Sequence, residues 1–534
     1  MDTLKNDIDS RIYCMGKEKT MKCTVSVDEI TKLAKMLKHY KNDGSKGLVS
    51  DCLINGPHRL FVHICILFNM LITHGTVPGD FLVGTMIPIP KSKTVSHISD
   101  KYRAITLSSS IGKMFDLVII NHEGRYGLKT DCLQFGFKCN SSTVLCTGTL
   151  QETICHFVNG GCNIFGLFLD ATKAFDRINY VKLFRLLLKK DMDPKLVRCL
   201  MHMYTNQSLR VSWNGVMSDN FNTTNGVKQG GVLSPLLFSV YIDELICRLR
   251  KSGIGCYIGP HYSSVFGYAD DLCIIANSLT SLRSMIKICE DFATEYDVIF
   301  NGSKSQLIKF SANGDGIVQS DVFVCGVKVS PSKEVIHLGN KLFCNPFQDN
   351  CDNVVRKFYK QYNQFIAKFR YLPLDSKCKL FNSYCTSFYG LPICNLQKAN
   401  KLHVAVRKCL RHMLGIPYRS HCKIVYGLMN SLCVDHMCQK RFLCYAKSVL
   451  NHHIDSIRFI HNLGILEAKT IFAKNTFYCS NDPAQMCVNN CEIDNMGICS
   501  VIRELLYVRE GSWHLPRNFN TNDVCEILIF LCTV

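Results

Sequence analysis

The chain has no apolar run long enough to cross a membrane, and acidic residues are in the minority. Its two most apolar stretches, residues 60–72 and 524–534, both fall short of the roughly 20 residues that a ~30 Å hydrocarbon core requires. His63 and Asn69 also interrupt the first of them. The N-terminus, Met1-Asp2-Thr3-Leu4-Lys5-Asn6-Asp7, lacks the apolar core of a secretory signal. Asp and Glu number 43 against 62 Lys and Arg, a formal net charge of +19. That excess favours a polyanionic partner and says nothing about chemistry. Internal repeats and low-complexity tracts are also missing. What is present is apolar: 47% hydrophobic against 20% charged residues argues for a large core and against wholesale disorder. A length of 534 residues allows two to four structural units.

The 31 cysteines, spread along the whole chain without a leader, read as reduced thiols of an intracellular protein, most of them small core residues. Two groups have loose metal-ligand spacing. Cys479, Cys487, Cys491 and Cys499 run C-x7-C-x3-C-x7-C, and Cys433, His436, Cys438 and Cys444 lie close together. Neither contains the tight C-x2-C knuckle of structural zinc sites, so plain thiols are the better reading.

Residues 1–50 are polar and helix-compatible, with a break at 41–47. Residues 60–75 read as an apolar helix ended by Gly75 and Pro78, and Met86–Pro90 as a short strand. Residues 162–170 form an apolar run of strand length, and Phe175–Lys190 follows with helical spacing. Pro235–Arg250 predicts a helix with Ser234 as N-cap and Gly253 beyond its basic last turn. Residues 264–268 and 272–276 predict a hairpin around an acidic tip. Beyond about 350, Arg356, Lys357, Lys360, Lys368 and Arg370 interleave with Phe358, Tyr359, Tyr362, Phe365 and Phe369.

Two acidic features stand apart. Asp170 ends a buried strand, where an ionised carboxylate is costly without compensation. Asp270 and Asp271 are adjacent at the hairpin tip, where mutual repulsion invites a proton or a cation. Singly, Asp170 could cap the following helix and the pair could be an ordinary polar turn. Together they supply hard oxygen ligands for two divalent ions, Mg²⁺ or its substitute Mn²⁺, about 3.5–4 Å apart. Asp170 and Asp270 are assigned as bridging ligands and Asp271 as auxiliary, since neighbours in a strand point opposite ways. A third feature, Asn225–Pro235 with Gln229 among its glycines, is weak alone, and no Walker pattern G-x4-G-K-[ST] is present.

In this order, Asp170–Asp176 (D-x4-F-D), Gly226–Phe238 and Tyr268-Ala269-Asp270-Asp271 resemble the palm motifs of reverse transcriptases. Ile87–Lys91, Tyr102–Leu107, Gln134-Phe135-Gly136-Phe137, Ser142-Thr143, Asn301–Ser305 and His337-Leu338-Gly339 are similar to segments of the non-LTR (LINE-type) branch. The likeness spans about residues 25–345 closely and 346–460 more loosely. It implies an α+β right-hand polymerase fold: fingers and palm over 70–345, with an antiparallel palm sheet, and a helical thumb over 346–460 that would grip the hybrid through phosphates and stacked aromatics, the alternative being an amphipathic helix with a core stripe and solvated lysines. An N-terminal helical extension (1–50) and a C-terminal region of unassigned role (461–534) flank these.

The resemblance further implies an RNA-directed DNA polymerase acting on an RNA template, a DNA primer and deoxynucleotides, with no membrane partner. Asp170, Asp270 and Asp271 would be the metal-binding catalytic acids. Phe175 would be the steric gate against a ribose 2′-hydroxyl, or simply an anchor of the following helix. Gln229 would contact the incoming nucleotide. Lys91 and Arg103 would clamp the triphosphate, with a solvated basic face as the alternative for Lys91. Lys304 would approach the pyrophosphate as a general acid, or be a surface lysine. Tyr268, His337, Leu338 and Gly339 would position the primer end, with a packed strand residue as the default for His337. Ala104, Lys138 and Gly231 depart from the branch's usual Pro, Arg and Cys. Too little chain precedes residue 25 for the endonuclease domain of many relatives, and no ribonuclease H pattern is evident near the end. A silent RNA-binding remnant and an intron maturase-like protein remain as alternatives.

Overall fold

The computed structural model describes residues 1–17, 24–41, 50–91, 98–126, 128–316, 318–429 and 431–480. Its described strands of four residues or more, in chain order, are β1 (Val83–Pro90), β2 (Tyr102–Leu107), β3 (Ile164–Asp170), β4 (Ser208–Trp213), β5 (Val265–Tyr268), β6 (Asp271–Ala276), β7 (Gln306–Phe310), β8 (Glu334–His337) and β9 (Asn340–Phe343). One sheet pairs β2 antiparallel to β1 and β1 parallel to β4. A second, wholly antiparallel, runs β7-β3-β6-β5.

The second sheet is buried on both faces, which explains why its strands read as nearly continuous apolar runs. Side chains alternate across a strand. Leu167, Leu169, Leu272, Ile274 and Leu307 therefore enter one core, while Phe168, Phe266, Cys273, Ile275 and Ile308 enter another. The first core is covered by the helices Tyr180–Lys189, Ser234–Lys251 and Leu279–Glu295. The N-terminal helices belong to it as well: Leu4, Ile8, Ile30 and Leu33 are buried in it. The other core holds the helix Thr143–Asn159 and everything described beyond residue 346.

Three expectations need correction. The helix foreseen over 175–190 is broken into a 3-10 turn, Ala174–Arg177, and a helix, Tyr180–Lys189, because the Asn179 side chain caps the latter by accepting from Lys182 N at 3.2 Å. Ser234 is not an N-cap. Leu233 holds that place, and Ser234, buried inside the first turn, spends its hydroxyl on Tyr204. Finally, Phe358, Tyr362 and Phe365 are core residues of the helix Cys351–Phe369, so they cannot stack on bases; only its exposed face, with Arg356, Lys360 and Lys368, is free to meet a polyanion.

The foreseen boundary at 461 falls inside the helix Asp455–Glu467, which packs with Val434–Leu450 and Ile471–Ser480 against Thr143–Asn159. His156 Nδ1 lies 2.5 Å from Glu467 Oε1 across this contact. Cys438 and Cys479 are buried thiols, and neither belongs to a group of three or more His, Cys, Asp or Glu set to hold a metal among the described residues. Cys487, Cys491 and Cys499 lie outside them, as does the apolar stretch 524–534.

Glu152 is enclosed at the same contact, and burial lifts its carboxyl from 4.5 to about 7, against hydrogen bonds from Thr470 and the Phe472 backbone. A raised carboxyl contributes its stability in full below pH 4.5 and loses it as pH climbs through about 7. Glu152→Gln should therefore stabilise the fold at pH 8 by on the order of 2–3 kcal/mol, read as a higher thermal midpoint. The gain should shrink toward pH 4.5. Equal midpoints for the two proteins at pH 8 would refute the burial argument.

Candidate active site

β3 ends in Asp170, and in the antiparallel register its direct cross-strand partner is Asp271 at the start of β6. Directly paired side chains share a sheet face, with Cβ atoms about 4.5–5.5 Å apart. Tyr268 pairs with Asp271, so only Ala269 and Asp270 make the hairpin turn. Three carboxylates separated by a hundred residues of sequence thus meet at one end of the sheet. None of the three makes an ion pair among the described residues. The consequence is electrostatic. Although Asp270 and Asp271 reach solvent, protein crowded around them raises both carboxyls. For Asp271, desolvation and then the charges of Asp270 and Asp170 lift it to about 6. For Asp270, desolvation is again the largest cause; Asp170 adds to it, and Arg103 opposes it.

The acids are held by neighbouring backbone. Asp170 N donates to Ser305 Oγ at 3.2 Å, and Asp170 O accepts from Asn301 N at 2.8 Å. The Asn301–Ser305 segment is therefore a clasp on the end of β3. Residues 133–136 do the same for the hairpin: Phe135 N donates to Gly267 O at 2.7 Å and Gly267 N to Leu133 O at 2.9 Å. Gln134, wholly buried, accepts through Oε1 from Gly136 N at 3.0 Å and from Ala269 N at 3.2 Å. Ala269 stands at φ 57°, a left-handed conformation costly for a residue with a Cβ. A side chain on Gly136 would come within 2.5 Å of Ala269 N, so that glycine permits the close approach.

Asp170 and Asp270 open into a cleft of about 860 Å³ between this sheet end and the β1–β2 hairpin. Lys91, Arg103, Phe175, Gln229 and Lys304 also line it. Phe175 stacks on Phe238 with ring centroids 4.6 Å apart, so it anchors the turn and presents an edge to the cleft at once. Gln229 Nε2 donates to Asp176 Oδ1 at 2.9 Å, and Thr106 N donates to Gln229 O at 2.7 Å. This ties the glycine loop to both β2 and the turn after β3. Gly226, at φ 86°, lets that loop run close against the Asp176 backbone, where an added Cβ would stand 2.8 Å from Asp176 O. Lys91 Nζ donates to Asp100 O at 2.9 Å, while Arg103 and Lys304 are exposed.

Asp271 is not part of the cleft wall, and the primer-positioning group divides. His337 is buried, with Nδ1 3.2 Å from Thr147 Oγ1, and burial lowers it to about 3. A neutral, enclosed imidazole cannot touch a primer; here the packed reading is the one the geometry gives. Leu338 and Gly339 form the two-residue turn between β8 and β9, both at positive φ, and Tyr268 is half-buried. Sequence reasoning assigned no role to five further residues: Gln134, Asp176, Lys173 and Asp100, which pair at 2.8 Å, and Phe137, which is 55% exposed in the cleft. Only the box around Gln134 and the final Asp of D-x4-F-D pointed near them.

Residues 89–342 match the family described as Reverse transcriptase (RNA-dependent DNA polymerase). They are a reverse transcriptase domain. Every candidate site residue, from Lys91 to Gly339, lies within it. The chain is 23% identical over 425 residues to the RNA-directed DNA polymerase from mobile element jockey of Drosophila funebris, covering 74% of this chain and 44% of that one. It is 24% identical over 323 residues to the Pol polyprotein from type-2 retrotransposable element R2DM of Drosophila melanogaster, covering 57% and 30%. For the probable RNA-directed DNA polymerase from transposon BS of the same fly the figures are 21% over 448 residues, 80% and 49%. The chain thus spans less than half the length of these relatives. All three relatives are named for mobile elements, the kind of source that the flanking boxes led one to expect. A solved structure, apo telomerase from Candida Tropicalis truncated from C-terminal domain, aligns with 54% of this chain and 59% of its own at a TM-score of 0.34 and 12% identity, too distant to bear on the fold.

Gln134→Leu keeps the volume of the brace beneath the reverse transcriptase hairpin but removes its acceptor. Denaturant titration should show a loss of about 1–3 kcal/mol. A variant as stable as the parent would mean that the hairpin stands without it.

Proposed function

We propose that this chain is an RNA-directed DNA polymerase of a non-LTR retrotransposon, transferring nucleotides from deoxynucleoside triphosphates to a primer 3′-hydroxyl on an RNA template. The observation that carries this reading is the meeting of Asp170, Asp270 and Asp271 at the end of β3, with no cation among the described residues paired to them, and with Asp170 and Asp270 sharing an open cleft with Arg103. The donor set suits a hard divalent cation: carboxylate oxygens alone, with burial first and neighbouring negative charge second raising the carboxyls of Asp270 and Asp271. Among the described residues no three or more such side chains stand in a preformed metal cage. That is compatible with Mg²⁺, which keeps waters and substrate phosphates in its shell and takes only one or two carboxylates. Two such ions would lower the charge on the attacking and leaving oxygens.

The chain's own part is positioning. Asp170 and Asp270 hold the reacting end of the cleft, and Asp271 backs them from the same sheet face. Arg103 and Lys91 offer donors to the triphosphate, the guanidinium in a fork suited to two oxygens. Phe175 crowds the sugar, Gln229 fixes the nucleotide, and Lys304 stands where a proton can be given to the departing pyrophosphate. The Leu338–Gly339 turn and Tyr268 bear on the primer end. The exposed cations of the helix Cys351–Phe369 meet the hybrid's phosphates. No described helix is long and apolar enough to cross a membrane.

With poly(rA), oligo(dT), dTTP and Mg²⁺ the purified protein should extend the primer. Asp270→Asn should cut the rate by roughly 10³-fold or more while leaving RNA binding largely intact. Binding without extension, under Mg²⁺ or Mn²⁺, would select the silent remnant. Phe175→Ala should admit ribonucleotides; sugar discrimination that stays unchanged in a folded variant would leave Phe175 only its stacking role against Phe238. Asp176→Ala should free the Gln229 amide and raise the KM for deoxynucleotide about tenfold, roughly the worth of one hydrogen bond to a charged group. An unaltered KM would remove Gln229 from the nucleotide site.

A further inference from the structure

Apart from the catalytic cleft, a cleft of about 520 Å³ opens between the start of the helix Thr143–Asn159, residues 382–392 and the helix Val434–Leu450. Its wall carries two cations, Lys440 and Arg441, and no carboxylate. Lys440 is exposed. Arg441 is half-buried, its guanidinium 5.8 Å from the centre of the Phe388 ring, and among the described residues it makes no hydrogen bond or ion pair. A guanidinium brings five N–H donors in a rigid fork and stays charged at any physiological pH. Burial works against that charge here, with only the Cys438 and Cys444 thiols on the other side. A partly desolvated cation of this kind calls for an acceptor of opposite charge.

The cleft adjoins the Leu338–Gly339 turn through one shared side chain. Tyr389, on its wall, donates its hydroxyl to Leu338 O at 2.6 Å. Lys357 lies 4.4 Å from the centre of the Tyr389 ring and donates to Gly339 O. Tyr389 is therefore the partition between the two places. We propose that Arg441, with Lys440 beside it, binds a backbone phosphate of the template–primer, a second anchorage off the catalytic cleft. The proposal rests on the nucleic-acid partner of the preceding section, and not on catalysis.

The test uses the full chain and a fluorescent RNA–DNA hybrid in a titration of salt concentration, with single-stranded RNA as a parallel arm. Arg441→Gln should weaken binding of at least one of these about tenfold and lower the slope of log K against log salt by about one. Arg441→Lys should restore part of the affinity. Because Arg441 packs on Phe388, a second pair of variants leaves it in place: Cys444 is exposed on the same wall, so Cys444→Asp should weaken binding while Cys444→Lys should not. Unchanged affinity and slope in Arg441→Gln, or equal behaviour of the two Cys444 variants, overturns the site while leaving the polymerase assignment standing. A wild-type chain that binds neither nucleic acid overturns both.

Discussion

The structure depends on an unfavourable contact that the rest of the fold keeps in place. Asp170 and Asp271 face one another across β3 and β6, with Asp270 in the turn beside them. Left to electrostatics alone these carboxylates would separate. They cannot, because the strands that carry them are sealed between two cores, and a one-residue slip would drive Leu169 and Leu272 out of one core and Phe168 and Cys273 out of the other. Apolar burial thus fixes the register, and the register fixes the charge density that a divalent ion would answer.

Around that register the chain spends its buried polar groups on holding main chain. Ser305 and Asn301 take the two backbone groups of Asp170, and Gln134 takes the turn of the acidic hairpin. The Gln229 amide is shared with Asp176, and its carbonyl with β2. The β1–β2 hairpin, the glycine loop and the acidic sheet end are linked through these bonds, so the cleft's two sides are set relative to each other by few residues.

Much of this was legible in the sequence, and the reason is chemical. The acids stood out because ionised groups at the ends of apolar strands are costly, and the hairpin because its tip is acidic between two apolar runs. The helix over 58–74 ends at Gly75 in a left-handed conformation, as its glycine foretold. Side-chain duties were less legible. Ser234 has the right type for an N-cap, but Tyr204 claims its hydroxyl, and that contact is thirty residues away. His337 lies in the right box, yet its imidazole is enclosed. The interleaved aromatics beyond 350 followed a helical period, and a period alone cannot tell a core stripe from a stacking platform. The placement of residues 434–480 against the helix Thr143–Asn159 left no mark in composition at all.

Ala269 holds a backbone shape that glycine would adopt freely, at a cost of about 1–2 kcal/mol. Its methyl group is enclosed, and its N–H is tied to Gln134. A more permissive residue would relieve the tension and also multiply the shapes open to the tip. Stiffness at the place where two acids must stay aligned is thus obtained at the expense of local comfort, and the protein trades a little stability for a narrower distribution of geometries.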